Sequence, residues 1–321
     1  MQKLYTKKII MESKFRFSIF TATYNRGHLL NSLYDCIKQQ DYDHSLYEWV
    51  VVSDGSTDDT PILIQSFIKE GLVNIKFINK KNGGKHTAWR EATKVFEGRY
   101  IVTADDDDPI PTNMLSIYDK YWKDLEKDSQ YDLFWEVKSR CQYEDGTLVG
   151  LPLPKPYFDS DYIEIHYKLK KGAEMDGCRK VEVLRNEARV PDKFLFEEEC
   201  SNYPEGLRWI KAARKYKTRF VPDITRTYVV GHDSLCVTPK GMKRSSKKNY
   251  NSLISALYGL NETRDILIKY CPMNYLFTVL QLSYSAQRAN VRVLKYVNNN
   301  FDKFLLILFY IPSFMIKLIR S

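Results

Sequence analysis

Arg99 to Asn113 reads RYIVTADDDDPIPTN. Its short apolar run, Tyr100-Ile101-Val102, has the character of a buried strand and leads into four carboxylates, Asp105 to Asp108, and two prolines. Carboxylates seldom stack at the end of a buried strand unless something offsets their repulsion. In an extended chain alternate residues share a face, which predicts Asp105 and Asp107 on one side and Asp106 and Asp108 on the other. Two carboxylates on one face suit a hard divalent cation that keeps positions open for phosphate oxygens. The plainer reading is a solvated acidic turn. The ends of the other strands decide between the two.

Three such ends come earlier in the chain. Phe15 to Ala22 (FRFSIFTA) is β-rich and stops at Thr23-Tyr24-Asn25-Arg26-Gly27, after which Leu29, Leu30, Leu33, Tyr34 and Ile37 recur with helical spacing. Tyr47 to Ser53 (YEWVVVS) stops at Asp54-Gly55-Ser56, and Thr60-Pro61 opens a helix through Ile68. Asn74 to Ile78 runs into Asn82-Gly83-Gly84-Lys85-His86, and a helix follows from Thr87 to Phe96, closing at Gly98. The opening stretch is the fourth strand, with a helix starting near Pro111. This alternation predicts an α/β fold with a parallel sheet and right-handed crossovers. Each polar cluster follows the C-terminal end of a strand, the edge where open α/β sheets bind ligands. That shared position favours the ligand site over the acidic turn.

The second half is less regular. Asp132 to Tyr143 alternates and meets Glu144-Asp145-Gly146, which predicts a hairpin returning over Thr147 to Leu153. Lys180 to Leu184 reads as a strand or one helical turn. A helix begins at Glu205, with Leu207, Ile210 and Ala213 on one face, and Thr218 to Val221 and Thr225 to Val230 read as two strands. A helix is expected from Tyr250 to Leu260. Phe304 to Ile319 (FLLILFYIPSFMIKLI) is apolar all round and interrupted by Pro312. It is short against the roughly 20 residues of a membrane span, and Lys295, Lys303, Lys317 and Arg320 flank it as they would beside anionic headgroups.

With 321 residues, 44% of them apolar, the chain can bury a large core, and its net charge of +9 points to anionic partners. No nucleic-acid-reading signature accompanies that charge, so nucleic acid is not expected. The six cysteines never form CxxC and fit a reducing compartment. The N-terminus has no run suited to a signal peptide, and the expected location is cytoplasmic, peripheral on the cytoplasmic face of the membrane.

TATYNR, VVVSDGSTDDT, NGGKHTAWREA and TADDDD, in this order, resemble glycosyltransferase family 2. The resemblance is strong from Phe15 to Leu125, weaker from Asp176 to Leu235 and absent beyond about residue 240. It implies a GT-A fold, with a Rossmann-like, mostly parallel sheet flanked by helices and a C-terminal helical extension. The expected organisation is an N-terminal extension (1–14), a GT-A domain (15–240, nucleotide half 15–125 and acceptor half 126–240) and a helical region (241–321) with a membrane-associating tail.

The resemblance also carries roles to positions. Thr23, Tyr24 and Arg26 match the first nucleotide-contacting loop, and Asp54 the acid that accepts a hydrogen bond from the base, typically uracil. Gly83, Gly84 and Lys85 match the loop beside the nucleotide, consistent with a Gly-rich turn and a Lys at a helix N-terminus. Asp105 and Asp107 match the DxD pair, the first near the ribose and the last on a Mn²⁺ or Mg²⁺ ion, with Asp106 as the middle donor-site position and Asp108 a following acid. His232 resembles a late histidine near the diphosphate and is the second expected metal ligand, with a structural or surface role as its alternative. The family's general base is most often Asp in a Glu-Asp pair; here Glu205 is the only acid at that place, a helix N-terminus that favours Glu in any case, and Glu198 and Glu199 are rivals. His86 reads equally as a helix first-turn residue or a nucleotide contact. Arg179 and Lys180 read as a solvated face, with contact to phosphate or acceptor as the alternative, and Trp135 and Trp209 as core, with stacking on sugar rings as theirs.

The expectation is inverting transfer of a sugar from a nucleotide-diphosphate donor, a UDP-sugar, to a hydroxyl of a glycan or lipid-linked glycan. The rivals are a non-catalytic nucleotide-sugar-binding protein and a nucleotidyltransferase, the latter disfavoured because Tyr24-Asn25-Arg26-Gly27 supplies no Gly-rich basic loop. No GxGxxG follows any strand, which excludes a nicotinamide-dependent oxidoreductase.

Overall fold

In the computed structural model, which describes residues 13–150, 156–168, 175–200, 202–229 and 246–319, the alternation holds from the first strand. β1 (Phe15–Thr23), α1 (Gly27–Lys38), β2 (Tyr47–Ser53), α2 (Thr60–Glu70), β3 (Asn74–Asn79), α3 (Lys85–Val95), β4 (Gly98–Thr103) and α4 (Met114–Leu125) follow in order. β1 pairs in parallel with β2 and β4, and β2 with β3. β2 is buried at every position because helices cover both faces of the sheet. Its two-residue period sends Trp49 and Val51 into one core with Phe17 and Tyr100, and Val50 and Val52 into another with Phe20, Trp89 and Ile101. The one acid on this strand, Glu48, accepts from Ser18 Oγ and the Glu97 amide, each 2.6 Å from Oε1, and its Oε2 lies 3.2 Å from Lys76 Nζ.

The second half adds β5 (Phe134–Tyr143), β6 (Phe158–Ser160), β7 (Asp176–Lys180), α5 (Val181–Asn186), α6 (Glu205–Ala213) and β8 (Lys217–Tyr228). The strand order is β3-β2-β1-β4-β7-β5-β8-β6. β7 lies antiparallel between β4 and β5, while β5 and β8 are parallel. The sheet is therefore parallel over its first four strands and mixed beyond. Lys180 ends β7 and Val181 begins α5, so the apolar segment there is helical. The two late strands are one, β8, because register shifts against β5 absorb Val221 to Asp223. The hairpin turn forms, with Gly146 at φ 79°, but its return is a single bridge, Gln142 to Leu148. Residues 151–155 lie outside the described chain.

α7 (Ser246–Tyr270), α8 (Pro272–Ala289), α9 (Asn300–Leu308) and α10 (Tyr310–Ile319) form a helical layer with its own core around Leu257, Val279, Leu282 and Leu305. It is fastened to α6 by ion pairs Arg214–Asp265 (2.6 Å) and Lys211–Glu262 (3.1 Å). The expected boundary near residue 240 falls outside the described residues. The apolar run breaks at Phe309, and Pro312 sits in the first turn of α10, where its missing N–H costs no helical bond. Among the described residues no helix is long and apolar enough to cross a membrane.

Candidate functional site

The loops that leave β1, β2 and β3 are tied together by short polar side chains. Asn25, at φ 53°, turns its Oδ1 to accept from the Thr57 amide (2.7 Å), and its own amide donates to Ser56 Oγ (3.0 Å). Asp54 is buried and accepts from the Gly83 amide (3.0 Å), the Gly84 amide (2.7 Å) and Lys80 Nζ (2.5 Å). Gly55 closes this turn at φ 80°, where a Cβ would lie 2.7 Å from the Asn82 amide nitrogen. Asp54 therefore draws the Asn82–Gly84 loop onto the sheet edge and sets Gly84 as the cap of α3, with Lys85 in its first turn.

The four aspartates do not continue as strand. β4 ends at Thr103, and the Asp108 amide donates to the Asp105 carbonyl (3.3 Å), so the segment turns. The alternation expected for an extended chain is lost, and the pairing is corrected: Asp105 goes with Asp108, and Asp106 with Asp107. Arg226, from β8, binds Asp105 and donates to Asp108 (Nε 2.9 Å). Arg26, from the loop after β1, donates to Asp106 (2.8 Å) and Asp107 (2.9 Å). Lys85 Nζ lies 2.8 Å from Asp105. Burial opposes ionisation of Asp105, but Lys85 and Arg226 hold its carboxyl well below the usual range. Burial pushes Asp108 up to about 6, against the pull of Arg226, and burial also raises Asp106 despite Arg26. Three cations thus offset the repulsion that made the run improbable.

These charges fix what a cation could use. Asp105 has both oxygens taken, by Lys85 and Arg226. Asp107 is bound through Oδ2 alone among the described residues, and its side chain is 30% exposed. One exposed carboxylate fits a Mg²⁺-type ion that takes its other ligands from water and phosphate. Among the described residues no group of three or more His, Cys, Asp or Glu side chains converges on one point. His232 lies outside the described residues.

A cavity of about 530 Å³ opens beside the turn, with Lys85, Asp105 and Arg226 at one side and Glu205 and Trp209 at another. Glu205 opens α6 and is half-buried, with its Oε1 accepting from Trp89 Nε1 (3.2 Å). Arg208, one turn on, stacks between Trp89 and Trp209 at 4.5 and 4.7 Å, its Nε donating to the Ala188 carbonyl (2.7 Å). Glu198 and Glu199 are exposed and do not line the cavity.

Other positions divide. Thr23 is buried at the end of β1, and Tyr24 is 48% exposed beside it. His86 is buried against Phe194, and desolvation lowers it to about 4. Trp135 is core, as expected, whereas Trp209 reaches the cavity wall. The solvated face expected for Arg179 and Lys180 is corrected, since both are buried: β7 is an interior strand, so its side chains face packed layers. Arg226, Lys138, Asp176 and Trp89, which also line the cavity, went unnoticed in the sequence. Glu136, Lys138 and Arg140 place a charge at every second position of an interior strand, and that was the available signal.

Residues 18–139 match the family described as Glycosyl transferase family 2. Over 95 residues the chain is 28% identical to the poly(ribitol-phosphate) beta-N-acetylglucosaminyltransferase TarS of Staphylococcus aureus, a match covering 30% of this chain and 17% of TarS. The structure aligns with crystalline S. aureus TarS at TM-score 0.61 and 18% identity, covering 93% of this chain and 54% of that one. TarS 1–349 in complex with UDP-GlcNAc aligns at 0.56 and 17%, covering 93% and 89%. The mannosyltransferase PcManGT from Pyrobaculum calidifontis, in complex with GDP-Man and Mn²⁺, aligns at 0.50 and 16%, covering 91% and 79%. At such identities these structures show a shared GT-A fold.

Proposed function

Because residues 18–139 form a glycosyltransferase family 2 domain on a GT-A fold, we propose that this chain transfers a sugar from a UDP-sugar to an acceptor hydroxyl with inversion at the anomeric carbon. The observation that carries the reading is that Lys85 and Asp105, at the sheet edge, line the same cavity as Glu205, on the first turn of α6. The donor diphosphate lies along Lys85 and the N-terminus of α3, where a cation and free amides favour anionic oxygens. The first loop (Thr23, Tyr24, Arg26) and Asp54 frame the nucleoside, and Asp105 and Asp106 shape the site between base and diphosphate. The TarS complex with UDP-GlcNAc supports a UDP-sugar as donor.

Asp107 is the residue suited to hold a Mn²⁺ or Mg²⁺ ion, and neutralising charge on the departing diphosphate is the chemistry such an ion supplies when bound. Glu205 accepts the proton of the attacking hydroxyl from the face opposite the donor. Trp89 holds Glu205 Oε1, which leaves Oε2 for that proton. The acceptor half of the cavity is framed by β5, β7 and β8, a wall shared with the nucleotide half that supports reading 15–240 as one catalytic unit.

The acceptor is a glycan or lipid-linked glycan presented at a membrane surface. Phe304, Ile307 and Ile311 are 58, 61 and 71% exposed on α9 and α10, an apolar face suited to a lipid interface on the cytoplasmic side. The deciding experiment is Glu205→Gln: UDP binding persists, while transfer falls by roughly 10²- to 10⁴-fold, the usual worth of a general base. Wild-type turnover in that variant refutes the assignment.

A further inference from the structure

One wall of the cavity that Lys85 and Asp105 also line is a row of the sheet. Lys138 on β5 stands level with Gly177 on β7 and Phe220 on β8. Its side chain is 8% exposed, and among the described residues its ammonium makes no hydrogen bond; Glu136 Oε1 is 3.7 Å away and the Tyr162 ring 5.2 Å. A buried ammonium is a donor-only group that costs free energy until acceptors reach it.

The surrounding acids already face other groups. Glu136 is paired with Arg179 Nε (2.8 Å) and accepts from Thr218 Oγ1 (3.3 Å). Asp176 accepts from Tyr118 (3.0 Å) and Thr225 (3.1 Å). Arg179 lies over Trp209, its guanidinium carbon 4.1 Å from the ring centroid. Gly177 keeps the floor open: a Cβ there would lie 2.6 Å from Glu136 Oε1 and 2.8 Å from an Arg179 terminal nitrogen. Asp176 has its donors, and Glu136 Oε1 is left to ion pairing alone, with Arg179 at 2.8 Å and Lys138 at 3.7 Å; among the described residues the Lys138 ammonium has no hydrogen-bond acceptor, in a space able to admit a ligand. The strongest complement to such a group, in a wall shielded from water, is an anionic oxygen.

We infer that this wall is an acceptor subsite built for an acidic acceptor, with Lys138 donating to a phosphate or carboxylate oxygen carried near the attacking hydroxyl. The inference rests on the transferase reading and names the substrate class of that same site. Lys138 is here a specificity residue for the acceptor. It takes no part in the ion pairs of Lys85, Asp105 and Asp107, so UDP affinity should survive its loss. Burial lowers the lysine's own proton affinity, and an anion beside it restores it.

The experiment uses the full chain with UDP and Mg²⁺ at saturation, so that phosphate probes cannot occupy the donor site. Trp89 and Trp209 line the cavity and report binding by intrinsic fluorescence. Two probe pairs are titrated, glycerol 3-phosphate against glycerol and glucuronate against glucose. The acidic member of at least one pair should bind about 10-fold or more tightly than its neutral partner, the worth of one charge-assisted hydrogen bond. The pair that discriminates tells phosphate from carboxylate. Lys138→Met should erase the difference while leaving UDP affinity unchanged, and Lys138→Arg should restore part of it. Equal affinities within both pairs in the wild type, or no binding of either acidic probe, overturn the inference without any variant having to fold. Failure of UDP itself to bind overturns the transferase reading beneath it.

Discussion

Arg226 lies between Asp105 and Asp108, and replacing it by Met gives a stability change that depends on pH in a defined way. Arg226 is 9% exposed, Asp108 is 9% exposed, and Asp105 keeps Lys85 at 2.8 Å after the substitution. Removing one partner from a buried ion pair typically costs about 3–5 kcal/mol, and we expect that range at about pH 7.5, because the buried Asp108, left with no countercharge, must then take up a proton that the unfolded chain does not carry. In the wild type the Asp108 carboxyl sits at about 6, so above that value the folded and unfolded states both carry it deprotonated and stability is flat with respect to this group. Without Arg226 its proton affinity rises further, and the folded variant keeps the proton that the unfolded chain releases. Stability of a state that binds more protons falls as pH rises, by about 1.4 kcal/mol per pH unit. The penalty at about pH 6 should therefore be about 2 kcal/mol smaller than at about pH 7.5. Urea unfolding of both proteins at the two pH values measures it. A penalty that does not change with pH, or one below about 1 kcal/mol at the higher value, refutes the account of the turn as a cation-clamped pair of carboxylates.

Three further outcomes are expected. Asp107→Asn should weaken UDP binding about 10-fold or more in Mn²⁺ or Mg²⁺ and leave metal-free binding unchanged, a contrast readable by calorimetry; equal weakening in both states removes Asp107 as the cation ligand. Gly98→Ala should destabilise by about 3 kcal/mol or more, since the new Cβ would lie 2.4 Å from the Ser18 amide nitrogen and 2.6 Å from the Phe17 carbonyl carbon, backbone atoms of the neighbouring strand that cannot swing aside; thermal melting decides it. Phe304→Glu with Ile311→Glu should abolish co-sedimentation with anionic lipid vesicles, as each side chain withdraws about 1.5–3 kcal/mol of apolar burial; unchanged partition would mean that α9 and α10 do not meet the membrane.

The nucleotide half could be read from sequence because its information is local. Each strand–loop–helix unit carries its own apolar run, its own glycine or cap and its own polar cluster, so DGS after β2 and NGGK before α3 announce both the element and its place on the edge. What escaped is what depends on partners far along the chain. The aspartate run was assigned an extended alternation, but Arg26 and Arg226 lie 80 and 121 residues away from the acids they bind, Asp106 and Asp105. Arg179 and Lys180 looked like surface because nothing within β7 says that it will be flanked by β4 and β5. Lys138 was hidden in the same way, in a strand whose neighbours are recruited from β7 and β8. Charged residues in interior strands are satisfied across the sheet, and a single chain read in order does not display that dimension.

The antiparallel strand β7 has a consequence for how the protein comes to exist. β4 and β5 do not pair with each other; β7 joins them, and it is made some 70 residues after β4 ends and some 30 after β5 ends. The first four strands can pair as soon as β4 is synthesised, whereas β5 must wait for its β7 partner until Asp176–Lys180 arrives. Such late, long-range closure is the slow part of folding and leaves strand edges exposed to wrong partners in the interval. A ribosome stalled just before β7 would hold a finished nucleotide platform next to an unattached strand, and the cavity would not yet have a floor.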